Sequence, residues 1–247
     1  MTIFQNASLF ASVTMRGMSE CLPHASAFPP VETALAEPNG LLIQGGNLSL
    51  PLLLDAYRHG IFPWFNPGEP ILWWSPDPRM VLVPGDIRVT RSLAKRMRNG
   101  GFELRVDSAF VEVMRACGAP RKGETGSWIS PAMVAAYTHL FDAGYAHSIE
   151  TWRDGVLVGG LYGVAIGRMF YGESMFSREA DASKVALVRL ARQLQRWEFG
   201  LIDCQMETLH LASMGARSMP RAAFCTRVAE LVDLPHLTGS WMFDAPD

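Results

Sequence analysis

A chain of 247 residues that is 49% apolar and 19% charged, with a formal charge of −2, has room for a substantial core and the composition of an ordinary globular protein. That balance excludes a disordered or fibrous chain, and no apolar run approaches the ~20 residues that span a bilayer. The small net charge hides an asymmetry: Arg79 to Lys122 holds ten Lys or Arg against four Asp or Glu, a local +6 that leaves −8 for the remainder. An anionic ligand is therefore sought there first.

The first stretch, Met1 to Ala27, mixes Gln5, Asn6, Arg16 and Glu20 among its apolar residues. It lacks the charged start and compact apolar segment of a secretory signal, so a cytoplasmic setting is the expectation. Residues 28 to 78 are dense in Pro and Gly, from Phe28-Pro29-Pro30 to Pro76-Asp77-Pro78, which allows only short elements. The clearest is a helix from Leu50 to His59, started by Ser49 and Pro51 and ended by Gly60. This reads as a small, loop-rich N-terminal domain behind an extension of residues 1 to 27.

After Pro78 the pattern becomes regular, and residues 79 to 247 read as a second domain. Met80 to Val83 and Ile87 to Val89 read as short strands, and Thr90 caps a helix from Arg91 to Arg98 that Asn99-Gly100-Gly101 ends. A strand is expected over Phe102 to Val106, with helices over Ser108 to Cys117 and Pro131 to Ala143. Ala146 to Trp152, Val156 to Ile166 and Arg168 to Glu173 read as consecutive antiparallel strands, turned at Arg153-Asp154-Gly155 and Gly167. Ser183 is placed as the cap of a long helix to Trp197, and a strand Leu201 to Gln205 and a last helix Glu207 to Met214 follow. Antiparallel strands, then a helix, then a returning strand give an α+β fold with a mixed sheet.

The most informative residues lie at the ends of two of these strands. Extended Leu201 to Gln205 presents Asp203 and Gln205 on one face and turns Ile202 and Cys204 to the other. A carboxylate in a core strand costs stability unless it is paired or opens into a site. Glu173, between Tyr171 and Met175, poses the same question, so Glu173, Asp203 and Gln205 are candidates for handling protons or positive charge. The bland reading of Gly172 to Ser177, a strand entering a helix capped by Ser177 or Ser183, explains the serines and leaves Glu173 unexplained.

Other signals are weaker. Cys204 with His147 or His210 suggests a nucleophile and base, but the spacing is not diagnostic and Cys204 is expected in the core. Cys21, Cys117, Cys204 and Cys225 show neither Cys-x-x-Cys nor metal-ligand spacing with His, so no metal and no disulfide framework are expected. Val158-Gly159-Gly160-Leu161-Tyr162-Gly163 lacks the Lys-Ser/Thr ending of a phosphate loop, and its glycines are read as bulges or close backbone approaches. Trp64, Trp73, Trp74, Trp128 and Tyr137 are in part explained as core, and Trp64 and Trp128, in irregular segments, also fit as walls of a cleft; stacking a base on such a ring is worth about 1–3 kcal/mol. Arg91, Lys95 and Arg98 share one helical face and suit phosphate contacts as well as they suit a solvated surface, and the surrounding positive charge favours the former.

In this order, Glu37-Pro38-Asn39-Gly40-Leu41-Leu42, Tyr57 to Phe65, Trp73-Trp74-Ser75-Pro76-Asp77-Pro78-Arg79, Gly126 to Ile129, Ala146-His147-Ser148-Ile149-Glu150, Gly172 to Ser177, Ile202 to Gln205 and Gly215 to Arg221 resemble the leucyl/phenylalanyl-tRNA-protein transferase family. Met214 and Met219 depart from the Leu and Ile expected there. The resemblance implies a small N-terminal domain and a GNAT-like acyltransferase domain that uses aminoacyl-tRNA as a co-substrate, with no cofactor. It implies transfer of Leu or Phe, and less readily Met, to the α-amine of proteins beginning with Arg or Lys, marking them for degradation. By the same resemblance Asp203 and Gln205 orient the attacking amine and relay its proton, with Glu173 in their pocket. The 3′-terminal adenosine is expected against Trp64, Trp128 and Tyr137, the aminoacyl side chain near Leu161, Met175 and Ile202, and the acceptor stem on Arg91, Lys95 and Arg98. The rivals are an N-acetyltransferase, for which no pyrophosphate-binding turn is found between Glu173 and Lys184, and a non-catalytic tRNA- or N-terminus-binding adaptor.

Overall fold

A computed structural model describes residues 26 to 120 and 127 to 244. The expectations for residues 1 to 25, for Arg121 and Lys122, and for Gly126 lie outside the described residues. In chain order the elements are β1 (Leu41–Gln44), α1 (Leu50–Arg58), β2 (Phe62–Pro63), β3 (Leu72–Trp74), β4 (Arg79–Leu82), α2 (Arg91–Asn99), β5 (Glu103–Val106), α3 (Phe110–Cys117) and α4 (Pro131–Asp142). The chain continues through β6 (Ala146–Arg153), β7 (Val156–Ile166), β8 (Met169–Ser177), α5 (Ala182–Arg196), β9 (Leu201–Gln205), α6 (Leu209–Ser213), β10 (Arg217–Met219) and α7 (Arg221–Val232).

Two sheets result. The first is antiparallel in the order β1-β3-β2, and the second has seven strands in the order β10-β4-β9-β8-β7-β6-β5. Among the described strands only β8 and β9 run parallel, because α5 carries the chain back across the sheet before β9 enters. This is the mixed α+β sheet that the sequence pattern predicts. Local chemistry explains several boundaries: Thr90 accepts from Leu93 N and Ser130 from Met133 N, one at the start of α2 and the other at the start of α4. Asp154 and Gly155 both take positive φ in the tight turn from β6 to β7.

Four expectations change. Ile87 to Val89 forms no strand; its Arg88 N donates to Met214 O, beside a short 3-10 turn at Pro84–Asp86. β8 runs on to Ser177, and α5 starts at Ala182 after Asp181, with Ser177 Oγ accepting from Ser183 N, so the cap comes from the preceding strand. The helix near Glu207 shortens to α6 and is not the last: α7 follows, burying Phe224, Val228 and Leu231 at helical spacing. Finally, the Pro- and Gly-rich stretch contains β1, β2 and β3, whose Trp73 is fully buried.

The seven-stranded sheet is covered on both faces. On one face a single apolar cluster joins Leu53 and Trp73 of the N-terminal part to Val81, Tyr162, Tyr171 and Phe224. The small sheet therefore packs into the core of the large one. On the other face Phe170, Leu161 and Ile202 pack with Leu187 and Leu190 of α5 and Leu93 of α2. Among the described residues no helix is long and apolar enough to cross a membrane.

Candidate active site

The sheet opens between its two parallel strands. β8 and β9 pair from Met169 with Leu201 to Tyr171 with Asp203, and there the pairing ends although β8 continues for six residues more. Both strands are bulged at that level. Opposite β7, Glu173 is the extra residue between Gly172 and Ser174; opposite β4, Cys204 is the extra residue between Asp203 and Gln205. A bulge re-aims side chains. Strict alternation would group Tyr171, Glu173 and Met175, whereas Met175 turns to the α5 side and Glu173 stays with Tyr171 among the tyrosines of the opposite cluster. Gln205 adopts φ 62°, a left-handed backbone that ends β9.

The two carboxylates at this opening have different partners. Asp203, 1% exposed, is held by Arg79, with Nε to Oδ1 at 2.8 Å and Nη2 to Oδ2 at 2.6 Å, and Oδ1 also accepts from Gln205 N at 2.8 Å. Arg79 is equally buried; its Nη1 donates to Gly60 O at 3.0 Å, and its guanidinium lies between the rings of Phe62 and Phe224 at 4.7 and 4.6 Å. The ion pair thus joins β4 to β9 within the large sheet, and Arg79 ties that sheet to the N-terminal part through Gly60 O and Phe62. A bidentate buried pair of this kind is strong only while both partners remain.

Among the described residues Glu173 has no cation in contact. Its Oε1 accepts from Tyr57 at 2.7 Å and from Gln205 Nε2 at 3.3 Å, its Oε2 accepts from Tyr137 at 3.2 Å, and the two phenol oxygens also touch each other. Burial pushes the Glu173 carboxyl up to about 7, with the phenol hydrogen bonds pulling it back down and the Asp203 charge adding to the rise. Burial also lifts both phenols well above their usual range, so they stay neutral donors.

Two cavities meet at this point. One, of about 130 Å³, is lined by Leu161, Met175, Ile202, Leu187, Leu190 and Leu211. The other, of about 210 Å³, is lined by Phe62, Trp64, Trp74, Trp128, Asn39 and Met206. Glu173, Cys204 and Gln205 line both. The structure thus brings together the predicted apolar set, and separately Trp64 with Trp128.

Other predicted residues fall elsewhere. Tyr137 offers no face to a base: it is fully buried, edge-on to Tyr162, with its hydroxyl on Glu173, because α4 packs it into the core. Cys204, the extra residue of the β9 bulge, is half-buried where the cavities meet and packs with Ile202 against the α5-side cluster, the core-facing side expected of it; burial pushes its thiol far up. His147 is committed to Asp107 at 2.8 Å beneath the stacked Trp241. Asp203 has both oxygens engaged by Arg79, and Oδ1 by Gln205 N as well. Arg91, Lys95 and Arg98 are exposed on α2, whose Leu93 packs inward, and none of the three lines either cavity.

Arg79 and Tyr57 were not singled out from the sequence. The signal for Arg79 was available: like Asp203 it is a charge at the edge of an apolar strand, and two such charges of opposite sign invite pairing. Tyr57 carried no comparable signal, because a tyrosine on the buried face of an amphipathic helix reads as core.

The profile described as leucyl/phenylalanyl-tRNA protein transferase matches residues 81–229, and that of the N-terminal domain of the same transferase matches residues 46–77. The chain belongs to the leucyl/phenylalanyl-tRNA-protein transferase family. It is 79% identical over 228 residues to such a transferase from Thiobacillus denitrificans, covering 92% of this chain and 100% of that protein. A second, from Nitrosomonas europaea, is 62% identical over 217 residues, covering 88% and 92%. Among solved structures, a GCN5-related N-acetyltransferase from Kribbella flavida superposes with a TM-score of 0.36 and 16% identity over 70% of this chain and 61% of that one. The chain is accordingly an aminoacyltransferase, and the chemistry that its site must serve is aminoacyl transfer from tRNA to protein.

Proposed function

We propose that the chain transfers Leu or Phe, and less readily Met, from aminoacyl-tRNA to the α-amine of proteins beginning with Arg or Lys, and so marks them for degradation in the cytoplasm. The observation that carries this reading is the shared wall. Glu173 and Gln205 stand where an apolar cavity and a tryptophan-lined cavity meet, which is where the ester of a bound aminoacyl-adenosine would lie. An apolar cavity near 150 Å³ holds a benzene-sized group, so a space of about 130 Å³ is in scale for a Leu or Phe side chain. Unbranched Met175 in its wall adapts to either. Trp64 and Trp128 supply faces for the terminal adenine, and Arg91, Lys95 and Arg98 hold the acceptor stem by backbone charge independent of its sequence.

In this mechanism the acceptor arrives as an ammonium. Ionised Glu173 takes one of its protons, leaving a neutral amine that attacks the ester carbonyl while Gln205 orients it. The tetrahedral intermediate collapses with cleavage of the carbon–oxygen bond to the ribose, the second amine proton goes to the ribose oxygen, and Glu173 returns its proton to solvent. Ester to amide runs downhill, so the reaction needs neither ATP nor a cofactor, and no metal is assigned a role. Asp203 acts through position, holding Gln205 N and anchoring Arg79.

Transfer of labelled leucine from Leu-tRNA to a peptide with N-terminal Arg, beside one with N-terminal Ala, tests the reading. Label on the Arg peptide alone is expected; equal labelling of both would remove the acceptor specificity, and label on neither would remove the transfer.

A further inference from the structure

The mechanism uses Glu173 and leaves unexplained why two tyrosines, both fully buried, converge on its carboxylate. Tyr57 comes from α1 in the N-terminal part and Tyr137 from α4 in the large domain. We propose that Tyr57 and Tyr137 are positioning residues for transfer, a two-phenol clamp that keeps buried Glu173 usable as a proton acceptor and gives its proton a place once taken. The inference deepens the proposed function and rests on Glu173 being the base in it.

The groups around Glu173 decide the direction. Arg79 and Asp203, from β4 and β9, form an ion pair that acts on Glu173 in opposite senses, with the Asp203 charge the stronger of the two. Tyr162 of β7 is a neutral phenol with no hydrogen bond to the carboxylate. That leaves Tyr57, Tyr137 and the Gln205 amide as the donors that stabilise the ionised form against burial. Hydrogen bonds to a charged group are about twice as strong as those to a neutral one, so the phenols favour the carboxylate.

The same oxygens accommodate the protonated form. Tyr57, Tyr137 and Glu173 make three mutual oxygen contacts. With Glu173 ionised, the two hydroxyl protons serve its two contacts and the contact between the phenol oxygens has none; when Glu173 gains a proton, that contact acquires one and the ring closes. Neither state then leaves a buried oxygen of the ring without a hydrogen-bond partner, as a group that cycles between the two states at each turnover requires.

The clamp is tested without tRNA, on the full-length protein carrying ¹³C-labelled glutamate carboxyls, with the Glu173 signal assigned from Glu173→Gln. Tyr57→Phe and Tyr137→Phe keep the rings and remove one donor each. Each is expected to move the Glu173 titration upward by about one unit, with melting temperatures reported alongside. An unmoved or lowered titration in both folded variants overturns the clamp. In parallel, single-turnover leucine transfer should lose its acid side at correspondingly higher pH in each variant, so that the deficit is largest at low pH and small at high pH. A uniform loss at all pH values would mean that the phenols serve packing alone and would also overturn the clamp. Absence of transfer by the wild-type protein would instead strike the proposed function, leaving the titration to judge the clamp.

Discussion

Asp203 and Glu173 lie on neighbouring strands at one opening in the sheet, both almost wholly buried, yet they sit in opposite kinds of surroundings. Around Asp203 the molecule places an arginine that spans both oxygens and is itself wedged between Phe62 and Phe224. Around Glu173 it places two phenols and an amide, which donate hydrogen bonds without supplying charge. A paired carboxylate holds architecture, whereas one stabilised only by neutral donors keeps a proton affinity near the working pH. Burial alone does not distinguish the two; the partner does.

Exchanging each carboxylate for its amide is the direct way to break that comparison. Glu173→Gln keeps shape and hydrogen bonding and should lower turnover by about 10²–10⁴-fold, the usual worth of a positioned base, with the fold intact in a thermal melt. Asp203→Asn should do the reverse. It keeps the acceptor for Gln205 N but sets an amide donor against Arg79 Nη2, and should cost about 3 kcal/mol of stability in a denaturant titration with a smaller loss of turnover than Glu173→Gln. Replacing both partners, as in Arg79→Met with Asp203→Leu, should recover much of that stability and little of the activity. Equal stability of Asp203→Asn and the wild type would dissolve the contrast.

Smaller effects sharpen the comparison by separating binding from proton handling. Trp64→Ala or Trp128→Ala should each weaken aminoacyl-tRNA by about 1–3 kcal/mol, read as a raised KM for aminoacyl-tRNA with the pH profile unchanged. Neutralising Arg91, Lys95 and Arg98 together should flatten the plot of log affinity against log salt by about 2, at the expected slope of about 0.7–0.9 per phosphate contact. An unaltered slope would take α2 out of the tRNA interface.

Much of this site was legible before any coordinates. The mixed sheet followed from strand runs around one long amphipathic helix, and Glu173, Asp203 and Gln205 stood out as polar residues in strands that should be apolar. Their roles were less legible, because strand alternation holds only while register holds, and the bulge at Glu173 breaks it. Tyr137, assigned to an adenosine, turned out to face a carboxylate, since one pattern of aromatic residues serves a cleft wall and a core equally well. Arg79 and Tyr57 required long-range pairing, 124 and 116 residues apart in sequence from their partners, which periodicity within a segment does not report. β1, β2, β3 and α7 were hidden by short lengths, by dense Pro and Gly and by a helix face of modest contrast.

The central claim is that Glu173 and not Asp203 takes the proton, and the pH dependence of kcat/KM for transfer from Leu-tRNA to an N-terminal Arg peptide, wild type against Glu173→Gln, tests it most directly. If ionised Glu173 takes the ammonium proton, the wild-type profile rises through about 7, below the α-amine's own value of ~8, and stays level above it. Glu173→Gln, which needs an amine already neutral, should rise only through the amine pKa. An acid limb at the same pH in Glu173→Gln as in the wild type would contradict the account and return the proton to another group.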